Sequence, residues 1–248
     1  KKNTLHRRVE RRMDLHQIST MASYVRYLQE NSQELSLLFN ELLIGVTSFF
    51  RDPEAWDVLR QQAIPQLFEN RVVGGAIRAW VPGCSTGEEA YSLAMVMQEA
   101  MDEAKFEQKF IIQIFATDLD RNAIEKARLG YFEASIKADV SEERLKRFFV
   151  LEDSGYRVRR EIREMVIFAS QNLIMDPPFT KMDILCCRNL LIYLTAEVQK
   201  KLILLFHYSL KPSGILFQGS AETIGEHANI FTSLSAKFRI FQRAESMA

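Results

Sequence analysis

The sequence has no long apolar run, few cysteines and no excess of either charge. No apolar stretch reaches the roughly 18 to 20 residues of a membrane span, and no signal-peptide pattern opens the chain, which predicts a cytoplasmic protein without membrane insertion. Cys84, Cys186 and Cys187 form no CxxC pair, so we expect reduced thiols, and no motif predicts a metal site. Basic and acidic residues balance at 32 each, which argues against a nucleic-acid partner.

The 248 residues, 47% of them hydrophobic, can form one large domain or two unequal ones. From residue 5 to about 70 apolar residues recur at helical spacing without a strand signal, as in Leu35, Leu38, Phe39, Leu42 and Leu43. This predicts a helical N-terminal domain over residues 1–70.

After Gly74 and Gly75, short apolar runs alternate with helical patterns, which predicts an α/β domain with a mostly parallel sheet over residues 71–248. The alternation breaks between Tyr131 and Arg163, where an inserted element, such as a β-hairpin, is expected. The predicted strands are 77–81, 110–117, 166–169, 183–187, 215–219 and 238–242. The predicted helices are 87–104, 120–128, 141–149, 196–210 and 221–226.

The turn after the first predicted strand, residues 82–89, carries two glycines and two glutamates. In a parallel sheet this turn usually meets the cofactor. It lacks the GxGxxG pattern and the P-loop lysine, and its glutamates would repel a pyrophosphate but suit a cationic ligand such as S-adenosylmethionine. Alternatively, Glu88 and Glu89 only complement the helix dipole. We assign Glu88 to the positive end of the cofactor, Glu89 to the helix start, and Cys84 to close packing.

The second predicted strand ends in two acidic residues, Asp118 and Asp120. Nucleoside-binding sheets place a carboxylate at this position, where it accepts hydrogen bonds from both ribose hydroxyls. We therefore predict Asp118 as the ribose ligand and Asp120 as the N-cap of the next helix. The alternative, that Asp118 is also only a cap, is weaker because two acceptors exceed what capping needs.

The segment Asp176-Pro177-Pro178-Phe179 is similar to the signature of methyltransferases that act on amide or adenine nitrogens. In those enzymes the signature ends the fourth strand, whereas here it precedes the apolar run that begins at Met182. Cys187-Arg188-Asn189-Leu190 ends that run instead. We interpret the two prolines as part of a rigid loop.

Taken together, five ordered segments closely resemble the successive motifs of the CheR family, the bacterial methyltransferases of chemotaxis receptors, over about residues 5–243. They are Val46-Thr47-Ser48-Phe49-Phe50-Arg51-Asp52, Ser85-Thr86-Gly87-Glu88-Glu89-Ala90-Tyr91-Ser92, Ala116-Thr117-Asp118-Leu119-Asp120, Gln171-Asn172-Leu173 and Cys187-Arg188-Asn189-Leu190-Leu191-Ile192-Tyr193.

The resemblance implies a Rossmann-like S-adenosylmethionine-dependent methyltransferase sheet, an all-α N-terminal domain and a small antiparallel β-subdomain inserted at about residues 135–165. It implies O-methylation of glutamates on the cytoplasmic domain of methyl-accepting chemotaxis receptors, with S-adenosylhomocysteine as product. By matching position, Arg51 and Tyr193 would flank the transferred methyl. The residues that would line the cofactor are Thr47, Arg51, Glu88, Asp118, Asn172, Leu173, Arg188 and Asn189.

The chain departs from the family pattern at two positions. Gly45 stands where the family often has Asn, a change expected to delete a cofactor contact, and Ala90 stands where it often has Pro, a change expected at the helix start only. The form of residues 43–47 resembles members fused to a receptor methylesterase and to sensor domains. This implies fused signalling domains in a larger protein.

The arginines of the basic N-terminus, Arg7, Arg8, Arg11 and Arg12, have i, i+4 spacing on one helical face. This face would suit docking to an acidic receptor helix, or it is simply a solvated surface. Arg51 likewise has two interpretations, since it could hold the substrate carboxylate or pair with Asp52 or Glu54.

Methyl transfer to a glutamate needs no general base, because the side chain, with a reference pKa near 4.3, is already ionised at neutral pH. This agrees with the absence of His6, His16, His207 and His227 from every motif. A non-catalytic S-adenosylmethionine-binding sensor or docking module is the alternative function. A nicotinamide oxidoreductase is a third interpretation.

Overall fold

The computed structural model describes residues 2–42, 45, 47–69, 74–104 and 110–244. The chain divides into two compact units, Lys1–Val46 and Thr47–Ala248. The predicted domain boundary at residues 70 and 71 lies outside the described residues, as does the motif residue Val46. Within the described ranges, no helix is both long enough and apolar enough to cross a membrane.

The described part of the N-terminal unit contains three helices, α1 (Lys2–Leu15), α2 (Met21–Glu30) and α3 (Ser32–Leu42). The Thr20 hydroxyl caps α2 by accepting the Ser23 N–H. The core is formed by Met13, Tyr24 and Leu38. Of the predicted apolar stripe, Leu38 is buried but Leu35 and Phe39 are exposed, so the buried face of α3 is narrower than the sequence indicates.

A buried ionic cluster on Glu34 joins these three helices. The Glu34 side chain is 2% exposed and accepts hydrogen bonds from Arg12, from the Tyr24 hydroxyl at 2.7 Å and from His16 Nε2 at 2.7 Å. The bonds from Arg12 hold the pKa of Glu34 at about 2. Burial and Glu34 together raise the pKa of Tyr24 to about 12.

This cluster corrects the prediction that four arginines share one docking or solvated face of α1. Arg12 is bonded to Glu34 within the unit, and Arg8 donates to the Glu41 main-chain carbonyl. Arg7 and Arg11 are exposed.

In its described residues, the second unit is an α/β domain of helices, a π-helical turn (Leu59–Ala63) and ten strands. The helices are α4 (Pro53–Val58), α5 (Ile64–Phe68), α6 (Glu88–Glu103), α7 (Arg121–Leu129), α8 (Glu142–Phe148), α9 (Arg160–Arg163) and α10 (Ala196–Ser209). The strands are β1 (Ala76–Pro82), β2 (Ile111–Asp118), β3 (Tyr131–Glu133), β4 (Phe149–Glu152), β5 (Gly155–Val158), β6 (Val166–Ser170), β7 (Met182–Cys187), β8 (Leu210–Gln218), β9 (Phe231–Ser235) and β10 (Ile240–Arg243).

Seven strands form one sheet in the order β6-β2-β1-β7-β8-β10-β9. The first five are parallel to one another, and β10 is antiparallel to both of its neighbours. The parallel strands therefore end at one edge of the sheet, at Pro82, Asp118, Ser170, Cys187 and Gln218. A separate antiparallel sheet, β3-β5-β4, forms the inserted subdomain, so the predicted fold class is confirmed.

Both faces of the large sheet are covered. Alternate residues of β1 lie in two cores: Ile77, Ala79 and Val81 pack with α6, while Trp80 packs with α10 on the other face. Helices α4 and α5 belong to the first of these cores, through Trp56 and Ile64 among others. This packing explains why the chain divides before residue 47, whereas the helical N-terminal domain was predicted to extend to residue 70.

The structure contradicts one predicted helix and adds a strand that the sequence analysis missed. Residues 221–226 are not an α-helix, and only Gly225–His227 forms a 3₁₀ turn. The Glu222 carboxylate and the Thr223 hydroxyl accept backbone N–H groups here, which competes with helix formation. Strand β9 was missed because its outward residues are mostly Thr and Ser.

Replacing Glu34 with glutamine should reduce the free energy of unfolding by about 3 kcal/mol at neutral pH, because Arg12 then loses its buried counter-charge. The folded pKa of about 2 lies below the ordinary 4.5, so this stabilisation is complete above pH 4.5 and is lost as the pH falls towards 2. Urea unfolding of wild type and E34Q should converge over that range. The exposed Glu30 is the control, and equal losses in E30Q and E34Q would contradict this account.

Candidate functional site

The loops at the carboxyl edge of the parallel strands form the candidate site, since ligands of open α/β sheets bind at this edge. The turn after β1 packs closely against the loop after β7. Gly83 and Gly87 have φ of +73° and +97°, and a Cβ on Gly83 would lie 2.8 Å from Leu190 Cδ2. Both glycines are therefore required by backbone conformation, and at Gly83 by close approach to the loop after β7.

Asp118 holds this turn from the end of β2. Its Oδ2 accepts the Ser85 N–H at 2.8 Å and its Oδ1 accepts the Asp120 N–H at 2.9 Å. Burial raises the pKa of Asp118. Each carboxylate oxygen keeps a lone pair for a further donor. Asp120 caps α7 by accepting the N–H groups of Asn122 and Ala123, so its predicted role is confirmed, whereas the ribose contact of Asp118 stays a prediction.

Glu88 and Glu89 lie in different surroundings within the first turn of α6. Glu88 is bonded by the Thr86 hydroxyl, burial raises its pKa, and no cation pairs with it among the described residues. Glu89 accepts a hydrogen bond from Cys186 Sγ at 3.3 Å, and burial raises its pKa to about 7 although Arg188 opposes this. Glu89 therefore also contacts β7 and is more than a helix-start charge.

The segment 47–52 is held mainly through its backbone. The Phe50 N–H donates to Ser92 Oγ at 3.0 Å, and the Arg51 carbonyl accepts from Trp56 Nε1 at 3.0 Å and Arg188 Nη1 at 2.8 Å. The Arg51 side chain is exposed and has no hydrogen-bond or ion-pair partner in the part of the chain that the structure describes. Thr47 is half-buried at the start of the segment.

The alternative in which Arg51 pairs with an acidic neighbour is wrong. Asp52 accepts from Arg188 Nη2 at 2.7 Å, and Glu54 pairs with Lys237 at 3.0 Å. Both carboxylates are bound by other cations, so the Arg51 guanidinium stays available for a ligand.

The Arg188 side chain is 1% exposed, and both of its terminal guanidinium nitrogens donate hydrogen bonds within the protein. Besides the bonds to Arg51 and Asp52, its guanidinium lies 4.6 Å from the centre of the Phe217 ring and 5.4 Å from that of Trp56. These contacts join segment 51–52 to the end of β7. The cofactor contact predicted for Arg188 stays a prediction.

Asn189 follows in the left-handed conformation, with φ of +60°. Its N–H donates to Glu222 Oε2 at 2.9 Å, and its side-chain Oδ1 is buried with no partner among the described residues. Tyr193, at the end of the short 3₁₀ turn Leu191–Tyr193, is 47% exposed. The sequence analysis missed Glu222. Its one signal was a carboxylate just after the end of β8.

The loop after β6 carries Asn172 and Leu173. Asn172 Oδ1 accepts the N–H groups of Ile174 and Met175, which leaves its amide nitrogen for other contacts. Leu173 packs against the core on the α10 side of the sheet.

The Asp-Pro-Pro-Phe segment lies further along the same loop, before β7 begins at Met182, as predicted. Phe179 stacks on Phe115 with ring centres 4.8 Å apart and meets Trp80 edge-on at 5.6 Å. Phe179 of this segment therefore packs against the core on the α10 side of the sheet.

The three cysteines are buried, and burial raises the pKa of each thiol well above its ordinary value. They are protonated structural residues rather than nucleophiles.

These residues fit S-adenosylmethionine. A half-buried carboxylate without a cation, Glu88, suits its ammonium; Asp118 has free acceptors for ribose hydroxyls; and the unpartnered Asn189 Oδ1 requires a donor. The parallel sheet places all three at the ends of adjacent strands or in the loops that follow them. Fold and site together define the class of S-adenosylmethionine-dependent methyltransferases.

Comparison with known families makes the assignment more specific. The family model described as CheR methyltransferase, SAM binding domain, matches residues 45–240, and the CheR methyltransferase all-alpha domain matches residues 1–43. The chain belongs to the CheR methyltransferase family. The predicted family, the cofactor and the enzyme class are therefore confirmed.

Similar proteins include an uncharacterized 104.1 kDa protein in the hypE 3′ region of Rhodobacter capsulatus, 42% identical over 98% of this chain. The chain spans only 25% of that relative's length. Chemotaxis protein methyltransferase 1 of Pseudomonas aeruginosa is 31% identical over 96% of this chain and 88% of its own length. A solved TehB-like SAM-dependent methyltransferase from Corynebacterium glutamicum aligns with a TM-score of 0.40 and 11% identity, covering 77% of this chain and 94% of that chain.

Replacing Asp118 with asparagine should weaken S-adenosylhomocysteine binding at least about tenfold, because a charged acceptor of the ribose hydroxyls is lost. Isothermal titration calorimetry measures this directly. D120A is the matched control, since it removes the α7 cap, costing about 1 kcal/mol of stability, and should leave the affinity unchanged. An unaltered dissociation constant in D118N would refute the ribose assignment.

Proposed function

We propose that the protein methylates glutamate side chains on the cytoplasmic domains of methyl-accepting chemotaxis receptors and forms glutamate methyl esters. Family membership and relatives named chemotaxis protein methyltransferase support this substrate class. S-adenosylmethionine supplies a methyl group on a sulfonium; a carboxylate oxygen can attack that methyl carbon directly, and S-adenosylhomocysteine leaves as the sulfur–methyl bond breaks. The protein would act in the cytoplasm, where these receptor domains lie.

The observation that carries the proposal is the exposed guanidinium of Arg51. Its guanidinium is exposed and without a partner in the described part of the chain, while its carbonyl is fixed by Trp56 and Arg188. A guanidinium on a fixed backbone can bind a carboxylate in bidentate geometry and orient one oxygen for attack. Tyr193, exposed beyond β7, would flank the same methyl group.

The proposed reaction needs no proton transfer to or from the protein. The substrate glutamate is already ionised at neutral pH, and methyl transfer releases no proton from it. The remaining tasks are to bind the cofactor through Glu88, Asp118 and Asn189, and to exclude water from the nucleophile. This agrees with the protonated state of the cysteines.

Residues outside the sheet would contribute to receptor docking. Arg7 and Arg11 are the exposed members of the basic N-terminal cluster, and we assign docking to these two. The relative from Rhodobacter capsulatus, four times longer than the matched segment, supports a larger protein with fused domains.

The proposal is tested with purified protein, tritiated S-adenosylmethionine and receptor cytoplasmic fragments, with base-labile methyl ester as the readout. R51A should reduce kcat/KM about 100-fold, because the carboxylate is no longer oriented, with little change in Tm. Arg160, an exposed arginine paired with Glu164, supplies the control R160A, which should retain full activity.

A non-catalytic S-adenosylmethionine-binding module is the second candidate, because Gly45 departs from the family pattern. It predicts calorimetric binding of S-adenosylhomocysteine but no ester on any receptor fragment. That result would refute the proposed activity.

A further inference from the structure

Glu222 lies outside the five motifs, yet its carboxylate accepts several backbone hydrogen bonds. It follows β8, and its carboxylate accepts three backbone N–H groups: Gly219 at 2.8 Å, Asn189 at 2.9 Å and Leu191 at 2.7 Å. Two of these donors belong to the loop after β7. The carboxylate therefore joins the ends of two adjacent strands at the cofactor edge.

This carboxylate is unusual in its environment. Glu222 is 3% exposed, and no cation pairs with it among the described residues. Burying an unpaired carboxylate is costly, and among the described residues the groups that compensate it are backbone N–H groups. A buried charge of this kind constrains its donors strongly, because moving either loop would leave it unsatisfied.

Two of the three donors, Asn189 and Leu191, belong to the loop that carries the predicted cofactor ligand Asn189 and the predicted methyl-flanking Tyr193. Asn189 is held in the left-handed conformation, with its Oδ1 buried and unpartnered, and Leu191 begins the turn that ends at Tyr193. Gly219 packs so closely that a Cβ there would lie 2.8 Å from Asn189 N and 2.9 Å from Asn189 Nδ2. The bond to Glu222 thus fixes the backbone of Asn189, and Gly219 packs against its side-chain amide.

We propose that Glu222 is a positioning residue of the methyltransferase site, which holds Asn189 for the cofactor and the Leu191–Tyr193 turn for methyl transfer. The inference deepens the proposed function and rests on it for the role of Tyr193. Its effect on cofactor binding rests only on the membership of the chain in a family that binds S-adenosylmethionine.

A merely structural carboxylate would behave differently, and the chain contains one as a matched control. Asp183 is fully buried at the opposite end of β7, where it accepts the Arg78 N–H at 2.8 Å and pairs with Lys211 at 2.9 Å. E222Q and D183N should both lower Tm. Only E222Q should weaken S-adenosylhomocysteine binding, by about tenfold, because its NH₂ group faces N–H donors and displaces the loop.

Kinetics supply the second readout. In E222Q the KM for S-adenosylmethionine should rise and kcat should fall, while the KM for the receptor fragment stays unchanged. D183N should keep all three values per folded molecule. Wild-type affinity for S-adenosylhomocysteine in E222Q would overturn the inference and leave Glu222 a structural residue.

If E222Q does not fold, G219A carries the test. The added methyl group displaces the Asn189 backbone from Glu222 while the glutamate itself is retained, and it should also reduce affinity several-fold; unchanged affinity would overturn the inference. Wild-type protein that forms no receptor ester would refute the proposed function. The calorimetric comparison would still decide the role of Glu222, so the two failures are distinguishable.

Discussion

The site depends on the buried guanidinium of Arg188. It lies against Trp56 and Phe217 and donates to the Arg51 carbonyl and the Asp52 carboxylate. Through these bonds the end of β7 fixes a segment more than a hundred residues earlier in the chain. Asp52 is bonded to Arg188, and the Arg51 side chain has no ion-pair partner among the described residues. The buried Arg188 thus binds the Asp52 carboxylate, while the exposed Arg51 guanidinium can bind a carboxylate of a ligand.

Four carboxyl groups at the sheet edge are likewise without an ion-pair partner in the described part of the chain. Glu88, Glu89, Asp118 and Glu222 have pKa values that burial raises, and none has an ion-pair partner among the described residues. Backbone and side-chain donors stabilise them only in part. A cationic cofactor lowers the cost of their ionised forms, so binding and the protonation of these carboxyls are expected to be linked.

Sequence patterns predicted the parts of this site that depend on local order. Asp118, at a strand end, was predicted to bind the ribose, and Asp120, at a helix start, was predicted to cap the helix. The helix cap was confirmed. Glu222 was not found, since two of its three partners, Asn189 and Leu191, lie more than thirty residues away along the chain and all three are backbone N–H groups, which no residue type reveals. The same cause explains Arg12, whose partner Glu34 lies on another helix.

Four non-glycine residues at or beside the sheet edge have left-handed backbones: Phe50, Asp52, Ser85 and Asn189. Each such conformation costs about 1 to 3 kcal/mol and persists only where its surroundings impose it. Ser92 accepts the Phe50 N–H, Asp118 that of Ser85 and Glu222 that of Asn189, while Arg188 holds the Asp52 carboxylate. Asp118 and Glu222 therefore perform the same physical task on either side of β1 and β7. The side chains that hold these four backbones come from other elements, so the geometry of the site is set by the fold as a whole and not by any single motif.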